Sequence, residues 1–129
     1  MDVEQINSRS AAIIDAAMTV HSALGPGLLE SAYQTCLAHE LRNRGFAVAT
    51  QVAAPIMYKN LRLDAGYRID ILVDDEVIVE LKSVASLLPI HDAQLLSYLR
   101  LADRRVGLLI NFNVLHLKDG IKRLVNGLR

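Results

Sequence analysis

Two strand-like runs joined by an acidic turn constrain this chain more than any other feature. The second run ends in Glu80-Leu81-Lys82 after three apolar residues. Because side chains alternate faces along a strand, Glu80 and Lys82 must share one face while Leu81 takes the other. An isolated Glu-x-Lys most often forms a solvated sheet edge, so a functional interpretation needs further support.

Asp70 lies in the first run. It shares a face with Glu80 and Lys82 for only one of the two possible lengths of the turn between the runs. A three-residue loop at 74–76 sets residue 70 opposite residue 80, with Cβ atoms roughly 4.5–5.5 Å apart. A two-residue loop at 74–75 instead pairs Asp70 with Val79 and turns it to the opposite face from Glu80. The turn contains neither Gly nor Asn, so both lengths stay open.

The longer loop has a chemical consequence. Two converging carboxylates can bind a hard divalent cation through oxygen, and a neighbouring Lys can position or deprotonate an attacking water. Asp70, Glu80 and Lys82 would then provide the groups needed for metal-dependent phosphodiester hydrolysis.

The residues after the second run predict a helix over 90–100. Gln94 and Tyr98 lie one turn apart on one side of it. His91 is predicted either to cap this helix or fill a polar surface position, or to serve as a ligand or phosphate contact. The apolar side of the helix is formed by Ala93, Leu95, Leu96 and Leu99.

Taken in order, these residues resemble a known nuclease superfamily. Asp70, the Glu80-Leu81-Lys82 run and the Gln94-to-Tyr98 spacing are similar to the PD-(D/E)XK signature with the Gln-x-x-x-Tyr motif of its RecB-like branch. Residues 27–33 are similar to the GxxExxY motif that names a family of small bacterial proteins in that superfamily. The resemblance covers about residues 20–126, with one departure: Ile69, not Pro, precedes Asp70.

The resemblance implies an α/β fold with a restriction-endonuclease-like core, in which helices flank a central mixed β-sheet. It implies a Mg²⁺- or Mn²⁺-dependent nuclease acting on nucleic acid, DNA in preference to RNA. Asp70, Glu80 and the Leu81 carbonyl would hold the ion, and Lys82 would assist the water. Gln94 and Tyr98 would orient the phosphate, and His91 is a further candidate for substrate contact.

Glu30, in the GxxExxY-like segment, has two interpretations. A carboxylate in the first turn of a helix is favoured by the helix dipole without any catalytic duty. The resemblance instead places Glu30 beside the metal, where it would coordinate a second ion or hold a ligating water. Tyr33, one turn on, is expected to support the site or fill the core.

Composition leaves a second function open. The formal net charge is zero, which argues against a broad basic groove. Residues 1–90 carry 11 acidic and 7 basic side chains, whereas residues 91–129 carry 3 acidic and 7 basic side chains. The excess of basic residues therefore follows Asp70 and Glu80 in the sequence. These basic residues would either bind a phosphate backbone or serve as ordinary solvated charges. The alternative function is a catalytically silent module that binds nucleic acid or protein on the same fold.

The element order predicts one domain over residues 1–129. Helices are predicted at 3–23 and 28–44, separated by Gly25-Pro26-Gly27. Further elements are predicted in the order strands 46–52, 56–63, 66–73 and 77–83, helix 90–100, a buried strand 106–112, a short strand 114–117 and a helix 121–128. The absence of a signal segment or apolar span predicts a cytoplasmic protein with no membrane partner, and a homo-oligomer is compatible with the sequence.

Overall fold

The computed structural model describes residues 1–128, which contain three α-helices and seven β-strands and form an α/β fold. The helices are α1 (Val3–Leu24), α2 (Glu30–Asn43) and α3 (Pro89–Leu101). The strands are β1 (Val48–Ala53), β2 (Ile56–Tyr58), β3 (Leu61–Leu63), β4 (Arg68–Val73), β5 (Val77–Lys82), β6 (Val106–Asn111) and β7 (Ile121–Val125). Helix α1 ends at Gly25, whose φ of 70° favours a residue without a Cβ.

Five strands form the central sheet in the order β1-β4-β5-β6-β7. The β5–β6 pair is parallel and the other pairs are antiparallel, so the sheet is mixed as predicted. Parallel neighbours need a crossover, and α3 supplies it between β5 and β6. Strands β2 and β3 form a separate hairpin, whose turn at Lys59-Asn60 divides the strand predicted over 56–63.

The sheet separates two hydrophobic cores. Val79 and Leu81 of β5 pack in the core shared with α1 and α2, whereas Ile78 packs in the core shared with α3. Because faces alternate, Glu80 and Lys82 lie on the α3 side, and this predicted division is confirmed. Among the described residues, every helix is too short or too polar to cross a lipid bilayer.

Gly107 allows α3 to lie close to the sheet. This glycine is a buried residue of β6, and a Cβ there would lie 2.8 Å from Cδ1 of Leu95 on α3. Real Cβ atoms do not approach other carbons so closely, so a side chain at this position would displace the Leu95 side chain or push the helix outward. The close approach brings the polar residues of α3 within reach of β5.

Two predictions for the end of the chain are wrong. Residues 114–117 form no strand but a turn that leads into a 3-10 helix at Leu117–Gly120. Residues 121–125 form β7 instead of beginning a helix. Apolar residues at 121, 124 and 128 fit a helical spacing, but strand β6 would otherwise present an unpaired edge. Antiparallel pairing with β7 satisfies the backbone groups of β6 and overrides that local pattern.

Candidate active site

The turn between β4 and β5 has the longer of the two predicted lengths. Val73 pairs with Val77, so residues 74–76 form a three-residue loop. Asp74 and Asp75 adopt left-handed φ values of 50° and 55°, which Asp tolerates better than most side chains. Asp74 Oδ1 also accepts a hydrogen bond from the Ala47 N–H at 2.9 Å, which ties the turn to the chain before β1. The extra loop residue sets position 80 opposite position 70.

Two hydrogen bonds connect Asp70 on β4 to Glu80 and Leu81 on β5. The Asp70 N–H donates to Glu80 Oε1 at 3.0 Å, and the Leu81 N–H donates to Asp70 Oδ2 at 2.8 Å. Each carboxylate therefore uses one oxygen to satisfy the backbone of the other strand. The second oxygen of Glu80 and Oδ1 of Asp70 take no part in this exchange.

Glu80 lies in an unfavourable electrostatic environment. Its side chain is 4% exposed. Burial, followed by the negative charge of Asp70, raises the pKa of Glu80 to about 8, although the Asp70 N–H and Lys82 oppose the shift. A buried carboxyl beside another carboxylate favours a proton or a cation at the site.

Helix α3 brings its polar side to this pair. Lys82 Nζ donates to Gln94 Oε1 at 3.0 Å, and Gln94 Nε2 donates to Tyr98 Oη at 3.4 Å. Burial raises the pKa of Tyr98, and the charges of Glu80 and Asp70 raise it further. The structure thus places the predicted Gln94 and Tyr98 beside the strand residues.

Glu30, the first residue of α2, approaches the same site from the other side of the sheet. Although much of its side chain is exposed, partial burial raises the pKa of Glu30. The charge of Lys82 lowers this pKa and that of Asp70 raises it, so both groups lie within electrostatic range. Within residues 1–128, no three His, Cys, Asp or Glu side chains converge as a metal-binding group. The role of Glu30 beside the metal, as a ligand of a second ion or as the group that holds a ligating water, stays a prediction.

Comparison with known proteins identifies the superfamily. The sequence model of the PD-(D/E)XK nuclease superfamily matches residues 7–124. The chain belongs to the PD-(D/E)XK nuclease superfamily. No curated protein and no solved structure matches the chain. The mixed sheet flanked by helices is accordingly a restriction-endonuclease-like fold. The narrower RecB-like and GxxExxY assignments stay predictions.

Tyr33 supports the nuclease fold from within the core. Its side chain is fully buried and its ring stacks on Phe112, with ring centroids 4.4 Å apart. Its hydroxyl donates to the Gly25 carbonyl and accepts from the Leu28 N–H at 3.1 Å. These bonds hold the loop that leads into α2. The complete burial of Tyr33 confirms that it fills the core, and a role in supporting the site stays a prediction.

His91 contacts the start of its own helix. Its Nδ1 accepts a hydrogen bond from the Leu88 N–H at 3.0 Å. This contact agrees with the helix-capping interpretation, and contact with substrate stays a prediction. The Leu81 carbonyl as a metal ligand likewise stays a prediction.

Sequence reasoning missed Gln51, which lies opposite Asp70 where the β1–β4 pairing is interrupted. The paired positions run from Val48 with Val73 to Ala53 with Arg68 and omit only this pair. Gln51 has a left-handed φ of 52°, uncommon for a non-glycine residue. No local pattern signals such a conformation within a strand.

The amide of Gln51 connects Asp70 to helix α2. Its Nε2 donates to Gln34 Oε1 at 2.6 Å and to Asp70 Oδ1 at 3.4 Å. Gln34 stands one helical turn after Glu30. The two amides therefore link the Asp70 carboxylate to the helix that carries Glu30.

Several basic residues that follow the candidate site in the sequence are paired with acidic groups. Arg104 contacts Asp75 at 2.8 Å, and Arg105 contacts Glu76 at 3.7 Å. Both carboxylates lie in the β4–β5 turn, at the opposite end of β5 from Lys82. A further pair joins Lys122 to Asp92 at 3.2 Å. These contacts favour the solvated-charge interpretation over a phosphate-binding surface.

Proposed function

We propose that this protein is a divalent-metal-dependent nuclease that hydrolyses phosphodiester bonds of nucleic acid, DNA in preference to RNA. The observation that carries the proposal is the opposition of Asp70 and Glu80 across β4 and β5, with Lys82 on the Glu80 face. Membership of the PD-(D/E)XK nuclease superfamily supports it. A solvated sheet edge would not bury Glu80 to 4% exposure.

The acidic pair suits a hard divalent ion. Each carboxylate commits one oxygen to a backbone N–H, and the raised pKa of Glu80 reflects an electrostatic cost that a cation would reduce. Asp70, Glu80 and the Leu81 carbonyl would hold Mg²⁺ or Mn²⁺, which prefer oxygen ligands. When bound, such an ion acts as a Lewis acid on the phosphate and lowers the pKa of a coordinated water.

The remaining side chains would position the water and the phosphate. Hydrolysis forms a bond from the water oxygen to phosphorus and breaks the bond to the leaving oxygen, which gains a proton. Lys82, oriented by Gln94, would position the water or take its proton. Gln94 and Tyr98 would donate hydrogen bonds to phosphate oxygens, with His91 at the start of their helix as a further contact. Glu30 would hold a water on the α2 side.

A nuclease assay with matched variants tests this assignment. Plasmid and end-labelled oligonucleotides are incubated with Mg²⁺, Mn²⁺ or EDTA. We expect cleavage by the wild type only with metal, and a loss of roughly 100-fold or more for Lys82→Ala, the scale of one positioned acid–base group. Glu80→Gln should lose cleavage, whereas Glu76→Gln, at the other end of the same hairpin, should retain it.

Binding measurements separate this function from the silent-module alternative. Lys82→Ala should still bind nucleic acid, and Mg²⁺ or Mn²⁺ should raise the melting temperature of the wild type by ligand linkage. Asp70→Asn/Glu80→Gln should abolish that rise. Nucleic-acid or protein binding with no cleavage in any metal, and equal melting temperatures with and without metal, would support a catalytically silent module.

A further inference from the structure

A cleft adjoins the candidate site between α3 and the chain that leads into β4. Its volume is about 240 Å³, and it is lined by Ile56, Tyr67, Gln94, Ser97, Tyr98 and Leu101. Two of these residues, Gln94 and Tyr98, also belong to the hydrogen-bonded chain that reaches Lys82. A group bound in the cleft would therefore be continuous with a phosphate held at Lys82.

The size and lining of the cleft suit one flat aromatic group. Sites for drug-sized ligands measure roughly 300–1,000 Å³, so this smaller volume fits a fragment of a substrate. The lining of the cleft is mostly apolar and includes Ile56, Leu101 and two tyrosines, of which Tyr67 is 47% exposed. Tyrosine rings stack on nucleobases of any sequence because every base has a π-face.

Position along the chain connects this cleft to the reacting phosphate. Tyr67 precedes Asp70 by three residues, which span at most roughly 10 Å in extended chain. In nucleic acid, the group that lies within about 10 Å of a phosphate is the sugar attached to it, together with the base of that sugar. A base inside the cleft would thus belong to a nucleotide next to the phosphate at Asp70.

The charge distribution points to an unpaired base. Duplex binding relies on neutralising phosphates with Lys and Arg, but this chain has a net charge of zero, and Arg104, Arg105 and Lys122 are paired with carboxylates. Single-strand binding draws additional affinity from stacking. A base within a duplex is already covered on both faces, so only an unstacked base can enter a cleft.

We propose that this cleft binds one unpaired nucleobase next to the scissile phosphate, with Tyr67 as its stacking surface, so that the substrate is single-stranded or frayed nucleic acid. This inference rests on the proposed function. It assigns to Tyr67, Ile56 and Ser97 a role in substrate selection that is separate from the chemistry of Asp70 and Glu80.

The test measures stacking directly, in a Glu80→Gln background that is expected to block cleavage. The probes are a short single-stranded DNA, the RNA of the same sequence and the blunt DNA duplex, each carrying a fluorescent adenine analogue that is quenched on stacking. Tyr67→Ala and Tyr67→Phe are compared with Tyr58→Ala, which removes a tyrosine that is 64% exposed on the β2–β3 hairpin. Comparison of the DNA and RNA probes shows whether the unpaired base belongs to single-stranded DNA or to RNA.

We expect at least one single-stranded probe to bind more tightly than the duplex and to be quenched. Loss of one stacked base is worth about 1–3 kcal/mol, so Tyr67→Ala should weaken binding by about 5- to 150-fold and remove the quenching. Tyr67→Phe and Tyr58→Ala should stay close to the parent. Equal losses for Tyr67→Ala and Tyr58→Ala, unquenched probes, tighter duplex binding or no binding at all would overturn the proposal.

Cleavage by proteins with Glu80 intact separates this inference from the proposed function. If the wild type cuts with metal and Tyr67→Ala cuts the same substrates equally well, the base cleft is wrong and the nuclease assignment stands. If quenching depends on Tyr67 but no metal supports cleavage, the nuclease assignment fails and the base cleft stands.

Discussion

The metal-free protein should lose stability as the pH rises from about 5 to about 8, because of Glu80. The pKa of this carboxyl is about 8 in the folded chain, against 4.5 for the free group. Below about pH 4.5 the carboxyl is protonated in both the folded and the unfolded chain, so it does not lower the free energy of unfolding. Between these two pKa values the folded chain retains a proton that the unfolded chain has released. Each further rise in pH therefore favours unfolding. Above about pH 8 the full penalty is present.

The magnitude follows from the two pKa values. A tenfold difference in proton affinity corresponds to about 1.4 kcal/mol, so the whole penalty has an upper bound of about 5 kcal/mol. Roughly 3–4 kcal/mol of it would develop between pH 5 and 8. Because the negative charge of Asp70 contributes to the raised pKa of Glu80 and dissolved salt screens part of that charge, we expect a measured loss of about 2–4 kcal/mol in the free energy of unfolding.

Urea denaturation in EDTA, repeated across this pH range, measures the loss. Glu80→Gln carries no titrating group at position 80, so its free energy of unfolding should change far less with pH. Glu76→Gln serves as the matched control and should retain the wild-type slope. A wild type whose stability does not change with pH, or a Glu80→Gln variant with the wild-type slope, would refute the argument that buried Glu80 is the titrating group.

Metal provides the complementary measurement. Bound cations require an ionised carboxylate, so metal affinity should increase as Glu80 loses its proton. The increase in melting temperature caused by Mn²⁺ should therefore be larger at about pH 9 than at about pH 6. The same increase at both pH values would show that Glu80 does not bind the ion.

Three further predictions concern the packing around the site, each measured by urea denaturation. Leu95→Ala should lower the free energy of unfolding by about 2–5 kcal/mol because Leu95 is fully buried. Leu96→Ala, at a half-buried position, should lower it by less. Equal losses would contradict the assigned faces of α3. Gly107→Ala should cost about 1–3 kcal/mol because its Cβ would overlap the Leu95 side chain, and a neutral effect would show that this side chain or α3 can shift without cost. Gln51→Gly should be more stable than Gln51→Ala by about 1 kcal/mol, since only glycine adopts a left-handed φ without strain; the reverse order would contradict that backbone conformation.

The local sequence was sufficient for the parts of the fold that depend on periodicity. Alternation along β5 determined that Glu80 and Lys82 share a face, and the fully buried run of β6 was recognisable from its continuous apolar residues. The helical spacing after Pro89 placed Gln94 and Tyr98 together, and the structure brings them beside Lys82.

Features that depend on partners distant in sequence were decided only by the tertiary structure. The sequence permitted two lengths for the β4–β5 turn, and contacts such as that between Asp74 and Ala47 accompany the longer one. Residues 121–125 fitted a helix until the open edge of β6 supplied a strand partner. Gln51 carries no local signal, because its left-handed backbone and its contact with Asp70 exist only when β1 lies against β4. Periodicity is a property of one segment, whereas register, edge pairing and backbone strain are set by the segment that packs against it.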